Sequence, residues 1–252
     1  MTIDLSGLVV LVTGGSRGIG RGIARGMLEA GARVGVHYVR SKAKAEELTQ
    51  DFPERAVALQ ADLADLDETE QLFDDALEAF GQIDVLVNNA GVWLQAPLRQ
   101  SHRGWADGWQ KTMAVNLRAP EQLARRVIRH LQERATGGRI INVASRAAFR
   151  GDDPEYMTYA ASKAGLVALT RSIARGFGGD NITAFTLAPG FVYTGMTAEH
   201  LDKHGEQARA AIALNKLTEP DDIAPTAVFL ASGQADHATG STIDLNAGSY
   251  VH

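Results

Sequence analysis

The sequence lacks cysteine altogether in its 252 residues. This absence excludes disulfide bonds, thiolate zinc sites and a cysteine nucleophile, and we predict no metal site of any kind. A long apolar run is also missing near the N-terminus, since the stretch Leu8 to Val12 ends at the turn-forming pair Thr13-Gly14. That stretch is too short for a signal peptide or a membrane span. We therefore expect a cytoplasmic protein that binds no membrane.

An excess of positive charge is missing as well. The formal net charge is −5 at pH 7, and a chain of this sign attracts neither nucleic acid nor an anionic membrane surface. We expect a small molecule as the partner instead. Apolar material, in contrast, is plentiful: 45% of the residues are hydrophobic, which is enough for the core of a large domain.

Short β-branched runs alternate with longer amphipathic stretches along the chain, for example the helical pattern of Leu66–Phe80. This alternation is typical of βαβ units and a parallel sheet. We predict an α/β fold: a single domain over residues 1–252 with a doubly wound parallel sheet of the Rossmann type, about seven strands and helices on both faces. Residues 190–220 are predicted to form a substrate lid. The predicted strands are Leu8–Thr13, Arg33–Tyr38, Ala56–Gln60, Val85–Asn88, Arg139–Val143, Thr183–Leu187 and Thr242–Leu245.

Three glycines, Gly14, Gly18 and Gly20, follow the first predicted strand and open a predicted helix. Glycines at such a junction permit a tight turn and let backbone amides approach a phosphate at the positive end of the helix. The spacing Gly-x-x-x-Gly-x-Gly differs from the commoner dinucleotide fingerprint. It resembles the glycine motif of the short-chain dehydrogenase/reductase family.

The end of the second strand carries information about the cofactor. An acidic residue there binds the ribose hydroxyl of NAD, whereas a nearby arginine accommodates the 2′-phosphate of NADP. Tyr38 occupies the acid's position, Arg40, Ser41 and Lys42 follow it, and Arg17 lies in the glycine motif. We therefore predict NADP, used as NADPH, over NAD. The alternative interpretation is that Arg40 and Lys42 are only the solvated start of the next helix.

Two tyrosines precede Lys163 in the stretch YMTYAASKAG. Tyr159 is four residues from Lys163 and shares its helical face, whereas Tyr156 is seven residues away. We predict that Tyr159 exchanges a proton with the substrate, and that the ammonium group of Lys163 lowers the pKa of its phenol. A chance pairing of an aromatic residue and a lysine on an amphipathic helix is the alternative.

The resemblance to the short-chain dehydrogenase/reductase family covers nearly the whole chain and implies roles for further residues. It implies that Ser145 polarises the substrate carbonyl, that Lys163 also binds the nicotinamide ribose, and that Asn116, placed at a helix start, holds a water. It implies two contacting helices, one carrying Tyr159 and the other an apolar stripe of residues 117–131, in a homotetramer built as a dimer of dimers. The further cofactor contacts that it implies are Ser16, Ile19, Asp62, Leu63, Asn89, Ala90, Gly91, Pro189, Gly190, Val192 and Thr194.

The resemblance says little about the substrate. From Ser145 to Tyr159 there are fourteen residues, one more than in many members of the family, and the turn-rich stretch Phe149 to Glu155 can accommodate the extra residue. We predict an NADP-dependent carbonyl reductase or alcohol dehydrogenase similar to 3-oxoacyl thioester reductases. An NAD-dependent sugar or polyol dehydrogenase and a nucleotide-binding regulator without turnover are the alternatives. Pocket residues, unless they are ordinary loop packing, are Trp93, Phe149 and Tyr193 for an apolar group and Arg146 or Arg150 for an anionic one.

Overall fold

The computed structural model describes residues 3–210 and 212–251, without the side chains of residues 199, 200, 203, 204, 207 and 208. Seven parallel strands form one sheet in the order β3-β2-β1-β4-β5-β6-β7. This confirms the predicted parallel sheet, and the predicted strand ends agree with the observed ones to within two residues. The strands are β1 (Val9–Val12), β2 (Arg33–Tyr38), β3 (Ala56–Gln60), β4 (Val85–Asn88), β5 (Gly138–Val143), β6 (Ile182–Pro189) and β7 (Thr242–Leu245).

Helices cover both faces of the sheet, as predicted. One buried cluster joins the sheet to α1, α2 and α9, and a second joins the opposite face to α3, α5 and α7. No helix in the described ranges 3–210 and 212–251 combines the length and apolar character needed to cross a bilayer. The helices are α1 (Gly18–Glu29), α2 (Lys42–Gln50), α3 (Leu66–Phe80), α4 (His102–Met113), α5 (Ala119–Arg134), α6 (Ala147–Arg150), α7 (Met157–Phe177), α8 (Ala198–Ala210) and α9 (Pro220–Ala231).

Local signals explain why α3 begins and ends where the sequence predicts. The Asp65 carboxylate caps the first turn, since it accepts the backbone N–H groups of Asp67 and Glu68 at 2.8 and 3.0 Å. At the other end Gly81 adopts a left-handed φ of 75°, which glycine tolerates and which stops the helix. Capping therefore fixes where this helix begins and ends, and its apolar face packs on the core.

Asn116 does not begin a helix, so that prediction was wrong. It lies in a π-helical turn, Ala114–Arg118, that joins α4 to α5 in one helical stretch from His102 to Arg134. Single π-helical turns accommodate one extra residue and are frequent at functional sites. The sequence signal for the irregularity is Pro120, two residues after this turn, because proline has no backbone N–H to continue an uninterrupted α-helix.

The apolar stripe of α5 packs inside the chain and is not free to contact a partner. Its residues Leu123, Val127 and Leu131 are at most 1% exposed and belong to the core beneath the sheet. The stripe therefore belongs to the core of the subunit, and the implied contact between the two helices and a second copy stays a prediction for their other faces. In contrast, the small residues Ala161, Ala164 and Ala168 form an exposed face on α7, which leaves close approach of another helix possible.

Candidate active site

The glycine turn after β1 is shaped so that a side chain cannot enter it. Gly14 and Gly18 have φ values of 64° and 54°, which glycine adopts at little cost. A Cβ atom on Gly20 would lie 2.2 Å from the Gly14 carbonyl oxygen and 2.3 Å from Nδ2 of Asn89. Helix α1 starts here without a side-chain cap and without an acidic residue in its first turn. Bare amides at a positive helix end fit a phosphate group.

Two side chains that the sequence analysis did not identify support this turn. Oγ1 of Thr13 accepts the backbone N–H groups of Asn89 and Ala90 at 3.0 and 3.1 Å. Nδ1 of His37 accepts the N–H of Gly14 at 2.8 Å. The turn is thus held by hydrogen bonds from β1, β2 and the loop after β4.

His37 is fully buried in β2 and keeps its imidazole neutral. Its Nε2 pairs with the carbonyl oxygen of Ala61 at 3.0 Å, and burial lowers its pKa to about 4. With Nε2 donating, Nδ1 is free to accept from Gly14. The sequence signal for His37 was a histidine in an otherwise apolar strand. Only the structure shows that its hydrogen-bond partner is the N–H of Gly14.

The end of β2 carries the residues from which we predicted binding of the 2′-phosphate of NADP and not of the ribose hydroxyl of NAD. Tyr38 is only 6% exposed, and Arg17 and Arg40 are exposed without an ion pair to any described residue. Across the same edge, the Asp62 carboxylate accepts the N–H of Ala64 at 3.0 Å. The structure thus brings these predicted contact residues to one edge of the sheet, together with the buried Ser16 and Leu63 and the partly exposed Ile19 and Ser41.

The predicted catalytic side chains converge at the carboxyl end of β5. Tyr159 and Lys163 lie one turn apart on α7, with the Lys163 Nζ 5.8 Å from the centre of the Tyr159 ring. Ser145, which follows β5, is hydrogen-bonded to Tyr159. Lys163 donates to the carbonyl oxygen of Val143 at 2.8 Å. The hydroxyl of Ser145, the phenol of Tyr159 and the amine of Lys163 therefore lie together near the carboxyl end of β5.

The pKa of Tyr159 is shifted opposite to the prediction. Burial raises it to about 12, against the hydrogen bond from Ser145, although the residue as a whole is partly exposed. Burial also lowers the pKa of Lys163 to about 8. Loss of water penalises both charged forms more than the ammonium group stabilises a phenolate. The expected lowering was wrong, and the phenol holds its proton at neutral pH.

Asn116 fastens the loop after β4 to α7. Its side-chain oxygen accepts the Val92 N–H at 2.8 Å, and its Nδ2 donates to the Val92 carbonyl and to Ser162, each at 3.0 Å. Ser162 in turn donates to the carbonyl oxygen of Tyr159 at 2.7 Å. Both N–H groups of the amide are therefore used. A Cβ on Gly91 would lie 3.4 Å from both Asn116 Oδ1 and Lys163 Nζ, so this loop closely approaches the amine.

Tyr156 lies outside the reacting cluster. Its ring stacks on Trp93 at a centre-to-centre distance of 4.1 Å, in a 3-10 turn, Pro154–Tyr156, just before α7. Of the predicted pocket residues, Trp93 therefore packs on an aromatic ring, and Tyr193 is 48% exposed. Arg150 lies 3.9 Å from the Asp152 carboxylate.

Arg146 is buried, and its contacts are with residues outside the stack of Trp93 and Tyr156. It is 8% exposed, donates to the Ser249 hydroxyl at 2.5 Å, and places its guanidinium 4.6 Å from the centre of the Phe191 ring. These contacts tie the segment after β5 to the loop after β6 and to the C-terminal segment. The partly exposed Phe149 lies in α6, between Arg146 and Arg150.

The loop after β6, which carries four of the predicted cofactor contacts, returns to the glycine turn. Pro189 ends β6, and a Cβ on Gly190 would lie 2.9 Å from Cβ of Asn246. Val192 is buried and forms a bridge with Thr218. Cγ2 of Thr194 lies 3.1 Å from the position of a Cβ on Gly18. This loop and the glycine turn are therefore in contact.

Known proteins resemble this chain along nearly its full length. A family model described as enoyl-(acyl carrier protein) reductase matches residues 14–250. The 3-oxoacyl-(acyl-carrier-protein) reductase FabG of Staphylococcus aureus is 38% identical over 245 residues, covering 96% of this chain and 97% of that protein.

Two solved structures are similar as well. A putative NAD(P) dependent gluconate 5-dehydrogenase from Beutenbergia cavernae with bound NADP at low occupancy is 35% identical, with a TM-score of 0.89 and 99% of each chain covered. The 3-ketoacyl-(acyl-carrier-protein) reductase of Brucella melitensis complexed with NADH is 30% identical, with a TM-score of 0.88, covering 98% of this chain and 100% of that one. Both neighbours thus hold a nicotinamide cofactor.

Proposed function

The chain belongs to the short-chain dehydrogenase/reductase family, and we propose from this premise that it reduces a 3-oxoacyl thioester or a similar ketone with NADPH. It is an NAD(P)-dependent oxidoreductase that acts on CH–OH and C=O groups. The convergence of Ser145, Tyr159 and Lys163 beside the glycine turn is the observation that carries the proposal. The choice of a 3-oxoacyl thioester rests on the names of the relatives in Staphylococcus aureus and Brucella melitensis.

The proposed roles follow from the contacts of each side chain. A bound nicotinamide supplies or accepts the hydride in this chemistry. Ser145 donates a hydrogen bond to the substrate carbonyl oxygen, and Tyr159 gives that oxygen its proton in the reductive direction. The Tyr159 phenol is protonated at neutral pH and therefore carries the proton that this step needs. Its raised pKa makes it a weaker acid, so the proposed step relies on the neighbouring amine of Lys163 to stabilise the phenolate that forms.

Lys163 and Asn116 have supporting roles in this proposal. Lys163 binds the nicotinamide ribose hydroxyls from its position beside Tyr159 and Gly91. Asn116 holds the loop after β4 against α7, and the predicted water next to it would connect Lys163 to solvent. Asn116 is therefore a positioning residue in the first instance.

The preference for NADPH is supported by charge at the end of β2. The exposed Arg17 and Arg40 offer guanidinium groups to a 2′-phosphate, and Tyr38 replaces the acid that would repel it. The remaining proposed cofactor contacts are Gly14, Ser16, Gly18, Ile19, Gly20, Ser41, Asp62, Leu63, Asn89, Ala90, Gly91, Pro189, Gly190, Val192 and Thr194.

The wider setting of the enzyme also belongs to the proposal. We place it in the cytoplasm as a homotetramer, a dimer of dimers, in which the exposed small residues of α7 meet a second copy. Residues 190–220, which include α8, are proposed as the substrate lid within one domain spanning the chain. Proximity of the loop after β6 to Gly18 supports the lid, because its movement would cover the cofactor turn.

A matched pair of tyrosine variants tests the proposal. Absorbance of the reduced cofactor would be followed with NADPH and NADH against 3-oxoacyl thioesters, simple ketones and secondary alcohols. We expect Tyr159→Phe to lower kcat by about 10²- to 10⁴-fold, the usual effect of losing a general acid, with cofactor affinity retained. Tyr156→Phe is the control and keeps its activity, because Tyr156 is seven residues from Lys163 and its ring stacks on Trp93. Equal losses in the two variants, or no turnover of any carbonyl by the native enzyme, would refute the assignment.

A further inference from the structure

The chain forms a turn directly after β7, which we call the C-terminal turn (residues 246–250). Asn246 closes it, since its Nδ2 donates to the Tyr250 carbonyl at 3.0 Å and its Oδ1 accepts the Tyr250 N–H at 3.3 Å. The Ser249 N–H donates to the Asn246 carbonyl at 3.0 Å. Ala247 has a left-handed φ of 52°, a conformation that residues other than glycine keep only where their surroundings hold it. The shape of this turn therefore depends on its contacts.

The C-terminal turn contacts the proposed lid, residues 190–220, near both of its ends. At the first end, a Cβ on Gly190 would lie 3.3 Å from Oγ of Ser249. Toward the other end, the Leu214 N–H donates to the Ala247 carbonyl at 3.3 Å. Because both ends meet the same turn, the position of the turn determines where the lid leaves the body of the protein and where it returns.

Arg146 joins this turn to the segment that carries Ser145. Arg146 directly follows Ser145, and its backbone N–H donates to the Pro189 carbonyl at 3.0 Å. Its buried guanidinium donates to the Ser249 hydroxyl at 2.5 Å and lies 4.6 Å from the centre of the Phe191 ring. Displacing Ser249 would leave a buried charged donor without this acceptor, which is costly. The side chain of Arg146 therefore opposes movement of the turn.

We propose that Arg146 is a positioning residue, which holds the C-terminal turn and thereby fixes both ends of the lid relative to Ser145. This inference rests on the proposed function, because the lid and the cofactor contacts at Gly190 and Val192 belong to it. With Arg146 in place, the loop after β6 is ordered before the cofactor arrives. Without it, only a fraction of the molecules has a loop that is competent to bind, and the apparent affinity for the cofactor falls by that fraction.

The first test measures NADPH binding and turnover separately in the full-length enzyme. We expect Arg146→Met to raise the Kd of NADPH about tenfold, the usual effect of losing a charge-assisted hydrogen bond. With saturating NADPH and the 3-oxobutyryl thioester of N-acetylcysteamine as substrate, kcat should stay within about threefold of the native value, because the bound cofactor orders the loop. Arg146→Lys keeps a cationic donor and should recover part of the affinity.

Hydrogen exchange gives a second readout that needs no turnover. The N–H groups of Gly190 and Leu214 donate to the carbonyl oxygens of Leu245 and of the C-terminal turn at 3.2 and 3.3 Å, so their exchange reports on these contacts. We expect both amides to exchange faster in Arg146→Met and in Ser249→Ala than in the native enzyme. The double variant should exchange no faster than Arg146→Met alone, because the two substitutions remove the same hydrogen bond.

Arg175→Met is the matched control, since Arg175 is exposed near the end of α7, and it should leave NADPH affinity and exchange unchanged. Ser249→Ala, the smaller change, decides the outcome if thermal melting shows that Arg146→Met is unfolded. Native NADPH affinity and native exchange in the folded variants would overturn the role of Arg146. A higher KM for the thioester with unchanged NADPH affinity would overturn it as well, because Arg146 would then act on the substrate.

The two readouts also separate this inference from the proposed function. Absence of turnover of any carbonyl compound by the native enzyme would refute the proposed function. The exchange of Gly190 and Leu214 would still show whether Arg146 holds the C-terminal turn.

Discussion

Arg40 is an exposed cation at the edge where β2 ends, and its charge is available to a ligand. We expect Arg40→Asp to weaken NADPH binding about tenfold or more, because it replaces a charge-assisted hydrogen bond by repulsion, and to leave NADH binding unchanged or stronger. Fluorescence titration of each cofactor measures the change. Lys44→Asp on the exposed face of α2 is the control for net charge. Unaltered affinities for both cofactors would contradict the assignment of Arg40.

His37 makes the protein sensitive to acid through a single buried ring. Its folded pKa of about 4 lies below the ordinary 6.5, so the unfolded chain binds the proton more readily between these values. Stability is therefore complete above pH 6.5 and is lost as the pH falls through this window. At 1.36 kcal/mol per pKa unit, the loss is on the order of 3 kcal/mol. Chemical denaturation at pH 7 and pH 5 measures the part of this loss that falls between those two values, about 2 kcal/mol.

The matched variants for His37 separate titration from hydrogen bonding. His37→Asn places a neutral acceptor near Nδ1, so we expect it to lose the acid sensitivity but to keep part of the NADPH affinity. His37→Leu leaves the Gly14 N–H unpaired, which costs about 1–3 kcal/mol and weakens NADPH binding. The same decline in stability from pH 7 to pH 5 in the native protein and in His37→Asn would show that another group is responsible.

At the scale of elements, the contact between the glycine turn and the loop after β4 controls whether the cofactor site exists. A Cβ on Gly20 would lie 2.2 Å from a backbone oxygen, so Gly20→Ala has to displace the turn. We expect a loss of NADPH affinity of about tenfold or more, the effect of misplacing phosphate-binding amides. Calorimetric titration of NADPH provides the measurement.

Gly176 is the control glycine for this experiment. It lies within α7, and a Cβ there would meet nothing within 4 Å. Gly176→Ala should therefore stabilise the fold by about 0.5–1 kcal/mol, the helix preference of alanine, with NADPH affinity unchanged. Similar cofactor affinities for the Gly20 and Gly176 variants would show that the turn tolerates a side chain.

At the scale of the whole molecule, the proposed assembly uses the small-residue face of α7 that the chain leaves uncovered. We expect a tetramer by light scattering during size-exclusion chromatography. Ala164→Arg places a long charged side chain on the exposed small-residue face and should reduce the mass to that of a smaller species. Ala43→Arg, on the exposed face of α2, is the control and keeps the native mass. A monomer in the native protein, or a tetramer in both variants, would contradict the proposed contact.

The sequence by itself determined the sheet and the position of the cofactor turn. The strand ends, the cap at Asp65 and the glycine spacing depend on local periodicity and backbone conformation, which are readable over a few residues. The choice of Tyr159 over Tyr156 belongs to the same class, because a four-residue helical offset fixes which side chain lies next to Lys163.

Only the tertiary structure decided the electrostatics and the supports of the site. The direction of the Tyr159 pKa shift was mispredicted because desolvation depends on how the folded chain surrounds the phenol, which the spacing of Tyr159 and Lys163 does not reveal. His37 beneath Gly14, Asn116 in a π-helical turn and Arg146 beside Ser249 likewise depend on partners 23 to 103 residues away. Local sequence patterns do not predict such contacts, because burial and hydrogen bonds between distant residues arise only when the chain folds.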